Sequence, residues 1–568
     1  MNKRLVTLTV LGILVVLLSA ACGPAATPTA APSQPPAEES PVVPVEPTAT
    51  EAPPEPAVLR VGTTFQPNSF NPFLASVGWA FLDLVHEGFT GYGLDCEITP
   101  RLAESLEVSD DNLTWTIHLR PGITYNDGQP LDAHVLAESW DWLFSVDAKE
   151  WFPPTRLTES YEAVDDLTFR FTTSSPLGTF GTYDSVWQWP FAPQVWASTD
   201  NATMWEVDAD TNPIGTGPYE LTEWAKGDYL IYDAREDYYL GKPPIDRVIL
   251  QIYANWDGVI NGFLGGEIDM TDGQVPAQYF ETLKAAPNTT VVEQPPAFSY
   301  QLAFNIREGA KKHPAVEDPK VREAIDYAID RQQLVDLVLL GHGVPCATSW
   351  NCGSLYEWAL DPSLTVTPFD PEKAKSILDE AGYVDSDGNG VREGADGKDL
   401  NFRFYFQSDK APQITVSDMI SQWLSDIGIA TTVEGMEPGT LQNVLMKERD
   451  YDMALRIRAA DPDPAIVDYV WSCWSAKAGM SGNVTGYCSP EMDELLYKVI
   501  TAVGKENRLP PLFEAERLFA SERPLLTLVG ENAIQAYHND KFVFPDDPCN
   551  HLGMNWNWTP IMQAEVVR

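Results

Sequence analysis

Arg458-Ala459-Ala460-Asp461-Pro462-Asp463-Pro464 places a guanidinium and two carboxylates within a few residues of one another, on a stretch that two prolines hold in shape. Paired acids suit a cationic ligand group, because an ammonium withdrawn from water needs a counter-ion. Arg458 offers a planar fork that can clamp a ligand carboxylate at two points; it serves equally well to neutralise Asp461 or to face solvent. Asp-Pro-Asp-Pro also reads as a plain chain reversal. Shortly beyond, Val470-Trp471-Ser472-Cys473-Trp474 adds two indole faces that stack on peptide side chains or sugar rings. Packing in a core is the ordinary use of tryptophan in a chain that has 18 of them.

The element that must position this group begins at Tyr451. From Tyr451 to Arg458, Tyr, Met, Leu and Ile alternate with Asp, Ala, Arg and Arg, the period of a strand with one face buried. Proline cannot donate to a ladder, so the strand ends before Pro462 and leaves the acids at its carboxyl end, where open α/β sheets place ligands. Cys473 is expected to pair with Cys488.

Composition narrows the functions open to the chain. At 568 residues it exceeds one core, so two or three lobes are expected, and 44% hydrophobic residues make it globular. With 82 acidic against 37 basic residues, the net charge of -45 repels nucleic acid and anionic lipid headgroups. Lys3 and Arg4 precede an apolar run from Leu5 to Leu18, shorter than the ~20 residues that span a bilayer, so residues 1–21 read as a signal peptide. Leu18-Ser19-Ala20-Ala21-Cys22-Gly23 resembles a bacterial lipobox, with Ser19 where that pattern has leucine, and marks Cys22 for acylation. Residues 22–57 combine this cysteine with a Pro/Ala/Thr/Glu-rich linker too poor in apolar side chains to fold. The seven cysteines less Cys22 leave six, an even number that suggests disulfides in an exported chain. Spacing favours Cys346 with Cys352 and Cys473 with Cys488, leaving Cys96 with Cys549. Zinc finds no paired CxxC and no histidine at ligand spacing.

Within the body, Leu59-Arg60-Val61-Gly62 opens as a strand. Leu102 to Gly122 reads as two strands around a turn at Asp110-Asp111-Asn112, with Leu113, Trp115, Ile117 and Leu119 on one face. Asn126-Asp127-Gly128 is another turn, and Asp132 caps a helix carrying Val135, Leu136, Trp140 and Leu143. Asp318-Pro319 and Asp370-Pro371 set a capping carboxylate before a proline at the first helical position, and Gly382 ends the second helix. Val321, Ala324, Ile325, Ala328 and Ile329 form one apolar face. Asp385, Asp387 and Asn389 space their oxygens as a calcium loop does, with a glycine at the sixth position and Asp396 at the twelfth. A solvent-facing turn is the favoured reading there, and no metal is assigned. The strand Leu400–Phe406 and a helix from Ser417 to Ile427 follow.

The stretch from Leu102 through the helix after Asp132 closely resembles the solute-binding proteins of peptide-type ABC transporters. The likeness continues through Gly215-Thr216-Gly217-Pro218-Tyr219, Asp237-Tyr238-Tyr239-Leu240-Gly241-Lys242-Pro243, Asp318 to Arg331 and Asp370-Pro371-Glu372-Lys373-Ala374, and so covers essentially everything from Leu59 onward. The resemblance implies an α/β, two-lobed periplasmic-binding-protein-like fold of the enlarged class II type, with an extra inserted subdomain. The expected division is 58–95, 213–300 and 530–568 for a discontinuous lobe I, 96–212 for the insert, and 301–529 for lobe II. It further implies a monomer that captures peptides by hinge closure and docks on the transmembrane subunits of an ABC permease, tethered to the outer face of the cytoplasmic membrane through its lipid alone. Asp461 matches the aspartate that holds the ligand's amino terminus in peptide-binding members; Arg458, Asp463, Trp471 and Trp474 complete the expected site. Ile457-Arg458 stands where those relatives show Gly-Trp. Oligosaccharide or nickel binding is the alternative within the group, and an exported hydrolase using Asp461 and Asp463 is the alternative outside it. No nucleophile elbow or HExxH occurs, and Gly215-Thr216-Gly217 lacks a phosphate-loop continuation, so the chain is expected to be non-enzymatic and free of cofactors.

Overall fold

Thr289–Phe304 and Leu525–His538 form antiparallel strands of 16 and 14 residues. At roughly 3.3 Å per residue the longer one reaches about 50 Å, more than one lobe needs. The computed structural model describes residues 55–72, 82–146, 153–210, 212–347, 352, 358–459, 463–478, 482–546 and 558–567. The expected signal peptide, Cys22, the linker up to residue 54, Asp461 and Cys549 lie outside the described residues, whereas Ala57, at the expected end of the linker, is buried and donates its amide to Asp246.

These two strands run down the middle of an 11-stranded sheet. To one side stand Met453–Ala459, Asn401–Gln407 and Ala430–Met436; to the other stand Met270–Thr271, Val58–Thr63, Arg247–Ile252, Tyr229–Ala234 and Tyr219–Ala225. The short strand Gly343–Pro345 pairs with Val529–Glu531. The central register is regular from Thr289 to Gln294 and shifts on either side of Pro296. Pro295 and Pro296 have no amide hydrogen to give, so the ladder breaks there and the two strands become a hinge. One core lies on the first side of that break, around Leu59, Val61, Tyr232, Val248 and Leu250. Another lies beyond it, around Leu302, Phe304, Ile325, Phe402, Phe404 and Leu455. The fold is therefore two-lobed and α/β, as expected.

A separate four-stranded antiparallel sheet, ordered Ala103–Val108, Thr114–Leu119, Thr168–Thr173, Thr158–Asp165, encloses its own core with Trp115, Ile117, Leu119, Leu136 and Trp140. Leu113 is half-buried, and Asn112 turns the first hairpin at positive φ. The carboxylates expected to cap helices do so. Asp132 accepts the amides of His134 and Val135, Asp318 that of Lys320, and Asp370 that of Lys373. The apolar face from Val321 to Ile329 is wholly buried.

Two expectations change. The helix expected from Ser417 spans Ala411–Asp426, because Pro412 falls in the first turn, where its missing amide hydrogen has no intrahelical partner to lose. The strand after Tyr451 is covered on both faces. Met453, Leu455 and Ile457 join the core beneath the second lobe's outer helices, while Ala454 and Tyr451 join a second cluster with Val467, Trp471, Leu512 and Phe519. Asp452 is buried as well, accepting from His313 and Arg403. Its polar pattern came from buried ion pairs and small side chains rather than from a solvent face.

Candidate functional site

The carboxyl ends of parallel strands from both lobes converge beside the hinge. Val58–Thr63 runs parallel to Met270–Thr271 and Arg247–Ile252 and ends at Thr63; Asn401–Gln407 runs parallel to Ala430–Met436 and ends before Lys410. The Thr63 hydroxyl donates to the Asp272 carboxylate, which also takes the amide of Gln274 at 3.0 Å. Burial pushes the Asp272 carboxyl up to about 6 and that of Glu531, on the hinge strand, up to about 7. Lys410, from the second lobe, pulls both back down, so its ammonium acts across the crevice on each of them.

Met453–Ala459 enters the same region with one edge that described strands pair only in part. On one side it pairs with Phe304 through Phe298 along its whole length, whereas on the other only Met453 and Ala454 have partners, Phe404 and Tyr405. Leu455 to Ala459 thus carry ladder groups on an edge that no described strand pairs. Arg456 donates to the Gly482 carbonyl at 3.3 Å, and burial, then the neighbouring Arg458, pull its pKa down to about 10. Arg458 lines a small cavity of about 20 Å³, room for a water, with Gln301, Thr485, Gly482, Trp471 and Phe519.

Beyond Pro462 the expected site residues separate. Both oxygens of Asp463 are engaged. Oδ2 accepts from Arg508 Nη1 at 2.8 Å, while Oδ1 accepts from Arg508 Nη2 and from the Ala465 amide at 2.8 Å, capping the turn Pro464–Ile466. The pair is buried, with side-chain exposures of 0% and 4%. Trp471 is 3% exposed and stacks on Phe519 at 4.2 Å, a core position. Trp474 is 38% exposed, with the Arg156 guanidinium 4.6 Å above its ring. The Cys346–Cys352 and Cys473–Cys488 disulfides form as expected; Cys96 is also disulfide-bonded, and its expected partner lies outside the described residues.

At the calcium-like loop, the carboxylates of Asp385, Asp387 and Glu393 lie within 4.8 Å of one another. They mostly bind the loop itself: Asp385 accepts the amides of Gly388 and Gly390, Asp387 that of Asn389, and Glu393 that of Ser386. Asn389 accepts from Val391, and Asp396 pairs with Lys398 at 3.0 Å.

Sequence reasoning missed Asp272, Glu531, Lys410 and Arg508. Asp272-Gly273 after a short apolar run was a usable signal for a strand's carboxyl end. Arg508 had none, since it meets Asp463 across 45 residues and Thr182 across 326.

Two lobes, each with parallel strands aimed at a shared crevice and joined by a pair of continuous strands, define a hinged binding protein. The chain belongs to the bacterial extracellular solute-binding proteins, family 5, whose middle-region model matches residues 97–479. It is similar to the probable ABC transporter periplasmic-binding protein SapA of Escherichia coli K12, at 24% identity over 549 residues, covering 87% of this chain and 91% of that one. Among solved structures, the oligopeptide-binding protein of Thermotoga maritima superposes with a TM-score of 0.78 at 19% identity, covering 89% of this chain and 98% of that one. The oligopeptide-binding protein AppA of Bacillus subtilis, in complex with a nonapeptide, gives 0.76 at 20% identity, covering 90% and 100%.

Proposed function

We propose that this protein is the capture subunit of an ABC importer: it encloses peptides between its lobes and delivers them to the transmembrane permease. The observation that carries this reading is the edge of Leu455–Ala459, which no described strand pairs and which precedes Asp461 in the chain. An extended peptide adds to such an edge through main-chain hydrogen bonds, and its free amino terminus then meets the Asp461 carboxylate. Arg458, on the same strand, faces the ligand's acidic groups, and Trp474 supplies an exposed ring. The peptide transport protein SapA of Salmonella typhimurium, 23% identical, and the nonapeptide bound by AppA support the same class of ligand. Because Arg508 holds Asp463, Asp461 and Asp463 do not form the free acid pair a hydrolase would use.

The wider assembly follows. Residues 58–95, 213–300 and 530–568 make the first lobe, 301–529 the second, and 96–212 an insert built around the four-stranded sheet. Cys22 carries the lipid and residues 22–57 the tether, holding a monomer outside the cytoplasmic membrane. The test is Asp461→Asn with tri-alanine and N-acetyl-tri-alanine in titration calorimetry. The substitution weakens the free-amine peptide by about 10-fold or more, as loss of one partner of a desolvated charge pair should, and spares the acetylated one. Equal losses for both remove the amine-anchoring role.

A further inference from the structure

Arg508 does more than neutralise Asp463. Its Nη1 also donates to the Thr182 hydroxyl at 2.8 Å, and Thr182 belongs to a different core. Phe180 beside it packs with Trp115 and Phe171 of the four-stranded sheet, whereas Leu512 and Phe519 of the Arg508 helix, Lys505–Glu522, pack with Val467 and Trp471. The guanidinium is fully buried where these two bodies meet. Around it the backbones touch. The Gly178 amide donates to the Ile500 carbonyl at 2.8 Å, and a Cβ on Gly178 would come within 1.9 Å of the Ala502 carbonyl, so only glycine permits the approach. Lys505 reaches Glu97 at 2.5 Å and Arg156 reaches Asp468 at 3.9 Å, two more ion pairs across the same seam.

We propose that Arg508 is a positioning residue that couples docking of the four-stranded subdomain to the Asp463–Trp471 segment, which follows Asp461 in the chain. One side of its fork fixes Asp463 and with it the turn Pro464–Ile466; the other side reaches Thr182. Seating the subdomain gives one buried Nη1 hydrogen its acceptor, and losing that acceptor while the group stays away from water is costly. The turn is therefore held most firmly when the two bodies are together. Ligand anchored at Asp461 and contact at Thr182 favour one another, reciprocally. The affinity consequence rests on the peptide reading above; the coupling between the two segments does not.

Thr182→Val keeps the side chain's shape and removes the acceptor, and Thr182→Ser keeps the acceptor. Hydrogen exchange on the ligand-free chain reads the coupling directly. Thr182→Val accelerates exchange several-fold both at Thr179–Asp184 and at the Asp463–Trp471 segment on the opposite body, and Thr182→Ser restores the wild-type pattern. Acceleration confined to Thr179–Asp184, or none at all, overturns the coupling. In calorimetry, Thr182→Val weakens tri-alanine at least about fivefold while Thr182→Ser does not; unchanged affinity in a Thr182→Val protein whose wild type binds tri-alanine also overturns it. If wild type fails to bind tri-alanine, the peptide reading falls and hydrogen exchange alone decides the coupling.

Discussion

Trp471 and Trp474 look alike in the sequence, three residues apart beside the same anchor, yet they sit in different environments. Trp471 is sealed against Phe519 and Trp474 is exposed beneath Arg156. Trp471→Ala should cost about 3–5 kcal/mol, the range for opening a cavity in place of a buried aromatic. Trp474→Ala should cost under about 1 kcal/mol, the worth of an exposed cation–π contact. Urea unfolding measures both, and a similar loss for the two would contradict this assignment. At this scale the sequence was legible where chemistry is local. The Asp132, Asp318 and Asp370 caps each act within three residues, and both short-range disulfides join cysteines 6 and 15 residues apart. Asp463 was not legible, because the partner that consumes it arrives from a distant helix and no local pattern announces a long-range ion pair.

Among the elements, the segment from Cys473 to Cys488 deserves separate weight because it lies over the strand carrying Arg456. Its turn presents the Gly482 carbonyl to that guanidinium, and Tyr451 donates to the Val484 carbonyl at 2.7 Å. The disulfide closes a loop with a sequence separation of 15. Loop-closure entropy assigns such a loop about 3 kcal/mol. Cys473→Ser with Cys488→Ser should therefore lower the unfolding free energy by about that amount, and should loosen the Arg456 contact before the lobe itself opens. A chemical-denaturation curve indistinguishable from wild type would show the loop to be held by its hydrogen bonds alone. Strands and helices with simple one-face patterns were readable. The strand after Tyr451 misled because Ala454 is small enough to pack and Asp452 is buried in an ion pair with Arg403, so polarity there did not mean solvent. The resemblance implied hinge closure but not where the hinge lies: its signal, Pro295-Pro296 within a β-rich run, acquires meaning only when both lobes are seen to share the strand.

For the whole molecule, buried carboxyls and net charge act in the same direction on stability. Burial pushes Glu87 and Glu531 up to about 7 and Asp184 and Asp272 up to about 6, and it raises Asp83 as well. In the folded chain these groups keep protons that the unfolded chain releases near pH 4. Each one's contribution is thus complete below that unfolded value and is lost as pH rises through the folded one. Two histidines oppose them. Burial pulls His86 down to about 4 and lowers His313, so each favours the folded state only above about pH 6.5, the unfolded value. Carboxylates held low by partners, such as Asp237 by Arg235 and Asp450 by Arg403, lose their contribution only below about pH 4 and lie outside the window. These five carboxyls together with Asp468, which burial also raises, against two histidines, in a chain of net charge -45 whose self-repulsion eases on protonation, decide the sign. The thermal midpoint should be several degrees higher at pH 5.5 than at pH 7.5. Glu531→Gln should flatten part of that slope, because it removes the hinge carboxyl that titrates nearest neutrality. A midpoint that falls on acidification would mean that the histidines govern stability instead of the buried acids lining the crevice and the subdomain seam.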